Sequence, residues 1–143
     1  MPEISHYLKS AGKDFHEEKG EAWISLEPRN LHMLLDYLKR NGFPRLSAIS
    51  GVDIGKEIEL IYHVFSEDYY VNVRVPVPKK TLEIKTVTGI YPGANLFERE
   101  VHEMLGVDFP GHPNLEKLFL NENSPKTPLR KDFAEKPEKG KEK

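Results

Sequence analysis

The sequence predicts an α+β fold in two layers: a mixed or mainly antiparallel sheet of four or five strands, helices on one face, and an irregular C-terminal arm. Three observations predict it. Ile58, Leu60, Tyr62 and Val64 alternate with polar residues, as do Val71, Val73, Val75 and Val77, which is strand periodicity. Leu31, Leu34, Leu35 and Leu38 recur at helical spacing, as do Ile4, Tyr7, Leu8 and Ala11. A chain of 143 residues, 38% apolar and 31% charged, suits one core under an extensive polar surface.

The first helix covers Pro2–Ala11, and Gly12 ends it. Residues 14–18 form an edge strand. Gly20 turns the chain into a short strand, Ala22-Trp23-Ile24-Ser25-Leu26, whose tryptophan packs in the core or at its rim. Pro28 and Asn30 begin the second helix, over 30–41, and Asn41-Gly42 ends it. His32, Lys39 and Arg40 are expected to face solvent. A strand runs from Arg45 to about Ser50, and 51–56 makes a loop or hairpin turn. Pairing Val64 with Val71, Tyr62 with Val73 and Leu60 with Val75 places every apolar residue of that hairpin on one face. A turn on Glu67-Asp68, or a wider four-residue turn, keeps that register. His63, Asn72 and Arg74 then point to the opposite face. Pro76 and Pro78 are expected to stop the sheet, and 79–89 runs extended.

The densest stretch begins at Ile90. Pro92-Gly93 supplies a turn, Asn95 is expected to cap a helix over 95–105 with Glu98 as the capping-box acid, and Gly106 fits a left-handed C-cap. If Asn95 is the cap, Asn95→Ala costs about 0.5–2 kcal/mol. Phe97, Val101 and Met104 or Leu105 form the apolar stripe. Glu98, Arg99, Glu100, His102 and Glu103 form a charged face, which as a bland alternative is a solvated surface laced with pairs such as Arg99 with Glu103. Gly111-His112-Pro113 is a rigid turn. Thr127-Pro128-Leu129-Arg130-Lys131-Asp132-Phe133 is extended, with two cations beside one acid.

Composition removes several function classes. A net charge of −2 argues against a broad basic field for nucleic acid. No apolar run approaches the ~18 residues of a membrane-spanning helix. The absence of cysteine excludes disulfides and cysteine-ligated iron–sulfur clusters. There is no phosphate loop and no nucleophile elbow. His102-Glu103 starts like a zinc-protease helix, but Gly106 stands where the second histidine belongs. An independent metal-binding hydrolase using Glu98, His102, Glu103 and His112 is the alternative. Arg99 among those acids makes salt pairing the cheaper account.

Several blocks fall in order within about forty residues: Glu98-Arg99-Glu100, Leu105-Gly106-Val107, Phe109, Gly111-His112-Pro113 and Pro128-Leu129-Arg130-Lys131-Asp132-Phe133. Together they resemble the signature of the 30-kDa (C) subunit of NADH-quinone oxidoreductase, respiratory complex I. The same subunit type occurs in membrane-bound, energy-converting [NiFe] hydrogenases and related archaeal complexes. Weaker likeness reaches back through Ile61-Tyr62-His63 and Gly51-Val52-Asp53. Asn114 and Glu116-Lys117 depart from a more usual Asp and Arg-Arg pair, which weakens a basic contact after the His-Pro turn.

The resemblance implies a scaffold subunit with no catalytic residues, cofactor or metal of its own. It implies a place in the peripheral arm of an oxidoreductase that couples electron transport to proton or sodium translocation. Its partners would be the large catalytic subunit, with the NiFe or quinone site, and the small iron–sulfur subunit. It would meet the membrane only through partners, on the cytoplasmic side. Glu98, Arg99, Glu100, His112, Pro113, Leu129, Arg130, Lys131, Asp132 and Phe133 would be interface residues. The expected organisation is a body over 1–109, a docking arm over 110–133 and a charged tail over 134–143. The short tail after the Arg130-Lys131-Asp132-Phe133 block favours the hydrogenase-like or archaeal complexes.

Overall fold

The computed structural model describes residues 2–115. The expected docking anchors at 129–133 and the tail lie outside the described residues. The order of elements is α1 (Pro2–Ala11), β1 (Lys13–Glu18), β2 (Glu21–Ser25), α2 (Pro28–Arg40), β3 (Arg45–Asp53), β4 (Glu57–Phe65), β5 (Tyr70–Pro78) and α3 (Ala94–Leu105). The strands make one mixed five-stranded sheet in the order β1-β2-β5-β4-β3. Only β2 and β5 run parallel. Helices on a single sheet face complete the α+β architecture that the hydrophobic pattern predicts.

Alternation on the central hairpin sets the register. Leu60 pairs Val75, Tyr62 pairs Val73 and Val64 pairs Val71, so one face is continuously apolar. The Ser66 amide donates to the Tyr69 carbonyl, closing the turn tightly on Glu67 and Asp68. Leu31, Leu34, Leu35 and Leu38 of α2 are buried, as are Ile4 and Leu8 of α1. All belong to one cluster with the inward residues of β2, β4 and β5. Helix α3 packs over β3 on that same face. A Cβ at Gly51 would lie 2.6 Å from Leu105 Cδ1 and 3.2 Å from Leu60 Cδ2, so the missing side chain seats the helix on the sheet.

The outer face is polar and ordered. His63 Nε2 lies 2.9 Å from Ser50 Oγ, and its Nδ1 lies 2.7 Å from Asn72 Oδ1. Asn72 Nδ2 donates to Glu21 Oε2 at 2.9 Å, so one chain of bonds crosses β3, β4, β5 and β2. Trp23 sits at the rim with the Arg74 guanidinium over its ring at 4.5 Å.

Four expectations need correction. Pro76 and Pro78 lie inside β5 instead of stopping it. Strand β2 pairs only with residues Tyr70 through Arg74, so β5 is locally an edge beyond that point and tolerates proline. Strand β3 continues to Asp53, because Asp53 is buried, its Oδ2 takes Lys79 Nζ at 2.9 Å and its Oδ1 accepts the Gly55 amide. Helix α2 starts at Pro28 rather than Asn30, as a proline at N1 permits. His32 and Lys39 are not simply solvated. His32 Nε2 lies 3.2 Å from the Thr86 carbonyl, and Lys39 Nζ donates to the Ile90 carbonyl at 3.0 Å and covers the Tyr91 ring. Arg40 faces out and pairs with Asp36.

Candidate functional site

The motif region is built on α3 and two backbone segments that it holds. Residues 82–86 and 108–110 run side by side. Ile84 N donates to Asp108 O, Asp108 N to Leu82 O, and Thr86 N to Pro110 O, each at 2.9 to 3.0 Å. Gly106, at φ 82°, ends α3 in the left-handed conformation and turns the chain into that pairing. This C-cap matches the sequence reading. The N-cap does not: Gly93 holds the position, with no side-chain cap bond.

Glu98 is therefore free of the capping role, and it is completely buried instead of lying on a solvated face. Thr86 Oγ1 donates to its Oε1 at 2.6 Å, and the Val87 amide donates to its Oε2 at 2.9 Å. These bonds clasp the 86–88 segment to the helix. Burial pushes the Glu98 carboxyl up to about 7, while the two bonds pull the other way. Tyr62, also completely buried, has its phenol pushed well above the usual range by burial first and by the Glu98 charge second. Glu103, one turn further on, is buried as well. The charged face is thus divided: Glu98 and Glu103 point inward, Arg99 and His102 are half-buried, and Glu100 is exposed.

His112 joins the same cluster from the turn. The Asn114 amide donates to its Nδ1 at 2.8 Å, so that nitrogen is unprotonated and Nε2 carries the hydrogen. Nε2–H then donates to the Asn95 carbonyl at 3.1 Å and lies 3.8 Å from Glu98 Oε1. The imidazole is buried while Pro113 is exposed. Gly111, at φ 90°, brings its backbone to the Thr86 methyl, where a Cβ would lie 3.0 Å away.

The structure therefore unites Glu98 and His112 and leaves Glu100 and Pro113 on the surface. His102 belongs elsewhere. Its Nδ1 lies 2.8 Å from the Val107 carbonyl and 3.4 Å from Asp108, at the opposite end of α3. This separation removes the support for a metal-binding hydrolase on Glu98, His102, Glu103 and His112. Among the described residues no group of three or more His, Asp or Glu side chains is placed to hold a metal ion. Thr86, Val87 and Tyr62 were not foreseen as part of this cluster. Their sequence signal is only a β-branched run and one member of an alternating strand.

Beside the cluster, the C-terminal half of α3 and β3 form an open groove of about 370 Å³, lined by Ala48, Ile49, Gly51, Glu100, Val101 and Met104 with their neighbours.

The arrangement clasps backbone segments, and the chain that carries it is similar to known proteins. The family described as "Respiratory-chain NADH dehydrogenase, 30 Kd subunit" matches residues 24–139. The NADH-quinone oxidoreductase C-subunit of Mesorhizobium japonicum is 35% identical, over 93% of this chain and 72% of that one. Its counterpart from Moorella thermoacetica is 33% identical, over 77% of each chain. Among solved structures, a chain of an archaeal membrane-bound sulfane sulfur reductase superposes with a TM-score of 0.80. It is 26% identical, and the match covers 99% of this chain and 89% of that one. Nqo5, in a trypsin-resistant fragment, superposes with a TM-score of 0.71 at 25% identity, over 80% of this chain and 98% of that one. The chain belongs to the family of the 30-kDa subunit of respiratory-chain NADH dehydrogenase, and its role is that of a subunit of an oxidoreductase complex.

Proposed function

We propose that this chain is an assembly subunit of the peripheral arm of a complex I-like membrane oxidoreductase, on the cytoplasmic side. It packs against the large catalytic subunit and the small iron–sulfur subunit, which hold the clusters and the NiFe or quinone site. Its docking elements are Arg99, Glu100 and Pro113 on the body and Leu129, Arg130, Lys131, Asp132 and Phe133 on an arm that begins at 110. Glu98 and His112, expected at the interface, act from inside by holding the base of that arm.

One observation carries the reading. Among the described residues the motif side chains Glu98 and His112 are buried in a clasp, which is followed by exposed Pro113 and Asn114. Further along, the sequence carries Leu118, Phe119, Leu120, Leu129 and Phe133 beside Arg130 and Lys131, a composition suited to ordering against a partner. The test is truncation after Asn121, followed by a melting curve and a pull-down from cells co-expressing the large and small subunits. The expected result is an unchanged melt with capture lost. Normal capture without the arm refutes the docking role, and loss of folding makes the arm part of the body's own core.

A further inference from the structure

The two edges of the sheet are guarded very differently. Strand β1, at one edge, reads Lys13-Asp14-Phe15-His16-Glu17-Glu18 and is almost wholly exposed. Its register breaks between Lys13 and His16, and Asp14 takes a positive φ of 56°. Charge, irregularity and twist are the devices that keep a free edge from pairing. Strand β3, at the other edge, is charged only at its two ends, Arg45 and Asp53. Leu46-Ser47-Ala48-Ile49-Ser50-Gly51-Val52 is an uncharged run inside a chain that is 31% charged. A bulge between Leu46 and Ala48 leaves the rest of the strand regular, paired with β4 without interruption from Ala48 to Asp53. Among the described residues only β4 pairs with it. Val52 and Ile54, at its far end, are 47% and 45% exposed.

The groove between β3 and α3 runs alongside this edge. Its lining is apolar in Ala48, Ile49, Val101, Met104 and Leu105, and Glu100 is its single charge. Glu100 is exposed and makes no ion pair with another described residue.

We propose that β3 is a second docking surface, which accepts an extended segment of a partner subunit as a sixth strand of the sheet. The segment hydrogen-bonds along the backbone from 46 to 52, places apolar side chains in the groove, and sets an arginine or lysine against Glu100. Strand addition of this kind takes affinity from main-chain bonds and specificity from pockets for alternate side chains. Three observations argue for a partner with a cation: the uncharged edge, the apolar groove and its one acid. The chain's own continuation is less suited. Its last described stretch passes through His112, which is bonded to Asn95 at the N-terminal end of α3, whereas the groove follows the C-terminal half. The proposal rests on the assembly reading and assigns Glu100 a specific counterpart.

Hydrogen exchange of the 46–52 amides, compared between the free full-length chain and the complex co-purified with the large and small subunits, tests it. The outward amides are expected to exchange at least tenfold more slowly in the complex. Glu100→Lys, and Ala48→Lys as an added edge guard, are expected to lower capture about tenfold with unchanged melting curves. Equal exchange in both states overturns the proposal. So does protection already present in the free chain: if truncation after Asn121 removes it, the chain's own segment is the occupant, and if dilution removes it, a second copy is. A wild-type chain that captures neither subunit overturns the assembly reading as well, whereas a complex with β3 unprotected overturns this proposal alone.

Discussion

Two regions of this molecule share one apolar core but differ in the polar contacts added to it. The body, from α1 through β5, is an apolar core in which leucines of α2 meet valines of β5 and the inward residues of β4. The motif region, from 79 to 115, shares that core through residues such as Val87, Val101, Leu105 and Phe109, and adds polar groups aimed at backbone: Glu98 at Val87, His32 at Thr86, Lys39 at Ile90, His112 at Asn95 and Tyr91 at Phe43. The apolar core is non-directional and tolerates adjustment, whereas each polar contact needs one geometry and one protonation state. A scaffold gains from that division. The body supplies stability, and the polar contacts fix the path of the backbone from 82 to 112.

The body is broken by removing volume. Leu35 is completely buried on α2, and Leu35→Ala is expected to cost about 2–5 kcal/mol in urea titrations, the largest effect foreseen here. It is expected to leave the pH dependence of stability unchanged, because no titrating group is involved.

The clasp is broken by charge. The folded Glu98 carboxyl titrates at about 7, above its ordinary value of 4.5, so folding favours its protonated form. Its stabilising contribution is full below pH 4.5 and is lost as pH rises through about 7. At ~1.4 kcal/mol per unit the swing is on the order of 3 kcal/mol. Glu98→Gln keeps a neutral side chain of the same shape, whose carbonyl can accept from Val87 and whose amide can donate to the Thr86 hydroxyl, and carries only a fixed offset from replacing the acid's O–H by an amide group. It abolishes the swing, so the variant's deficit relative to wild type shrinks between pH 4.5 and pH 8. A constant deficit over that range would show that Glu98 is not the titrating group.

These experiments also mark what the sequence makes legible. Period-two and helical spacing locate the three helices of the described residues, the hairpin register and the inward leucines, because burial of one face imposes that period directly. The left-handed C-cap at Gly106 is legible from a single residue type. The clasp is not. Glu98 reads as one acid among five charged residues, and nothing in Thr86-Val87 announces a carboxylate partner many residues away. The buried position of Glu98 follows from where β4 and the 86–88 segment arrive, which is tertiary information. Glu100, two positions on, carries the same charge and occupies the surface. The motif therefore marks α3 correctly but cannot say which of its acids is buried and which lies on the surface.

The junction between helix and clasp is sharpened by Gly106→Val. A β-branched residue at φ 82° is expected to cost about 1–3 kcal/mol and to tilt the 108–110 segment away from 82–86. Hydrogen exchange of the Ile84 and Thr86 amides, which donate to Asp108 and Pro110, reads that tilt directly. Exchange at the α2 amides is expected to stay unchanged apart from the global loss of stability.

The smallest effect is expected at Asn95, where the helix-capping rule predicts a loss of about 0.5–2 kcal/mol on substitution by alanine. The structure moves the cap to Gly93 and places Asn95 inside the first turn of α3. Its side-chain oxygen is buried and finds no hydrogen-bond partner among the described residues. Deleting a buried, unpartnered polar atom removes a desolvation cost instead of a bond, and alanine is the better helix former. The contact that matters at this residue is its backbone carbonyl, which receives His112 Nε2–H and survives the substitution. Asn95→Ala is therefore expected to leave the melting temperature unchanged or raise it slightly, a stability change within about 0.5 kcal/mol. His112→Ala instead removes the donor to that carbonyl and the acceptor for Asn114, and is expected to destabilise the clasp more than Asn95→Ala does. A larger loss at Asn95 than at His112 would return the cap to Asn95 and free Glu98 for a capping role.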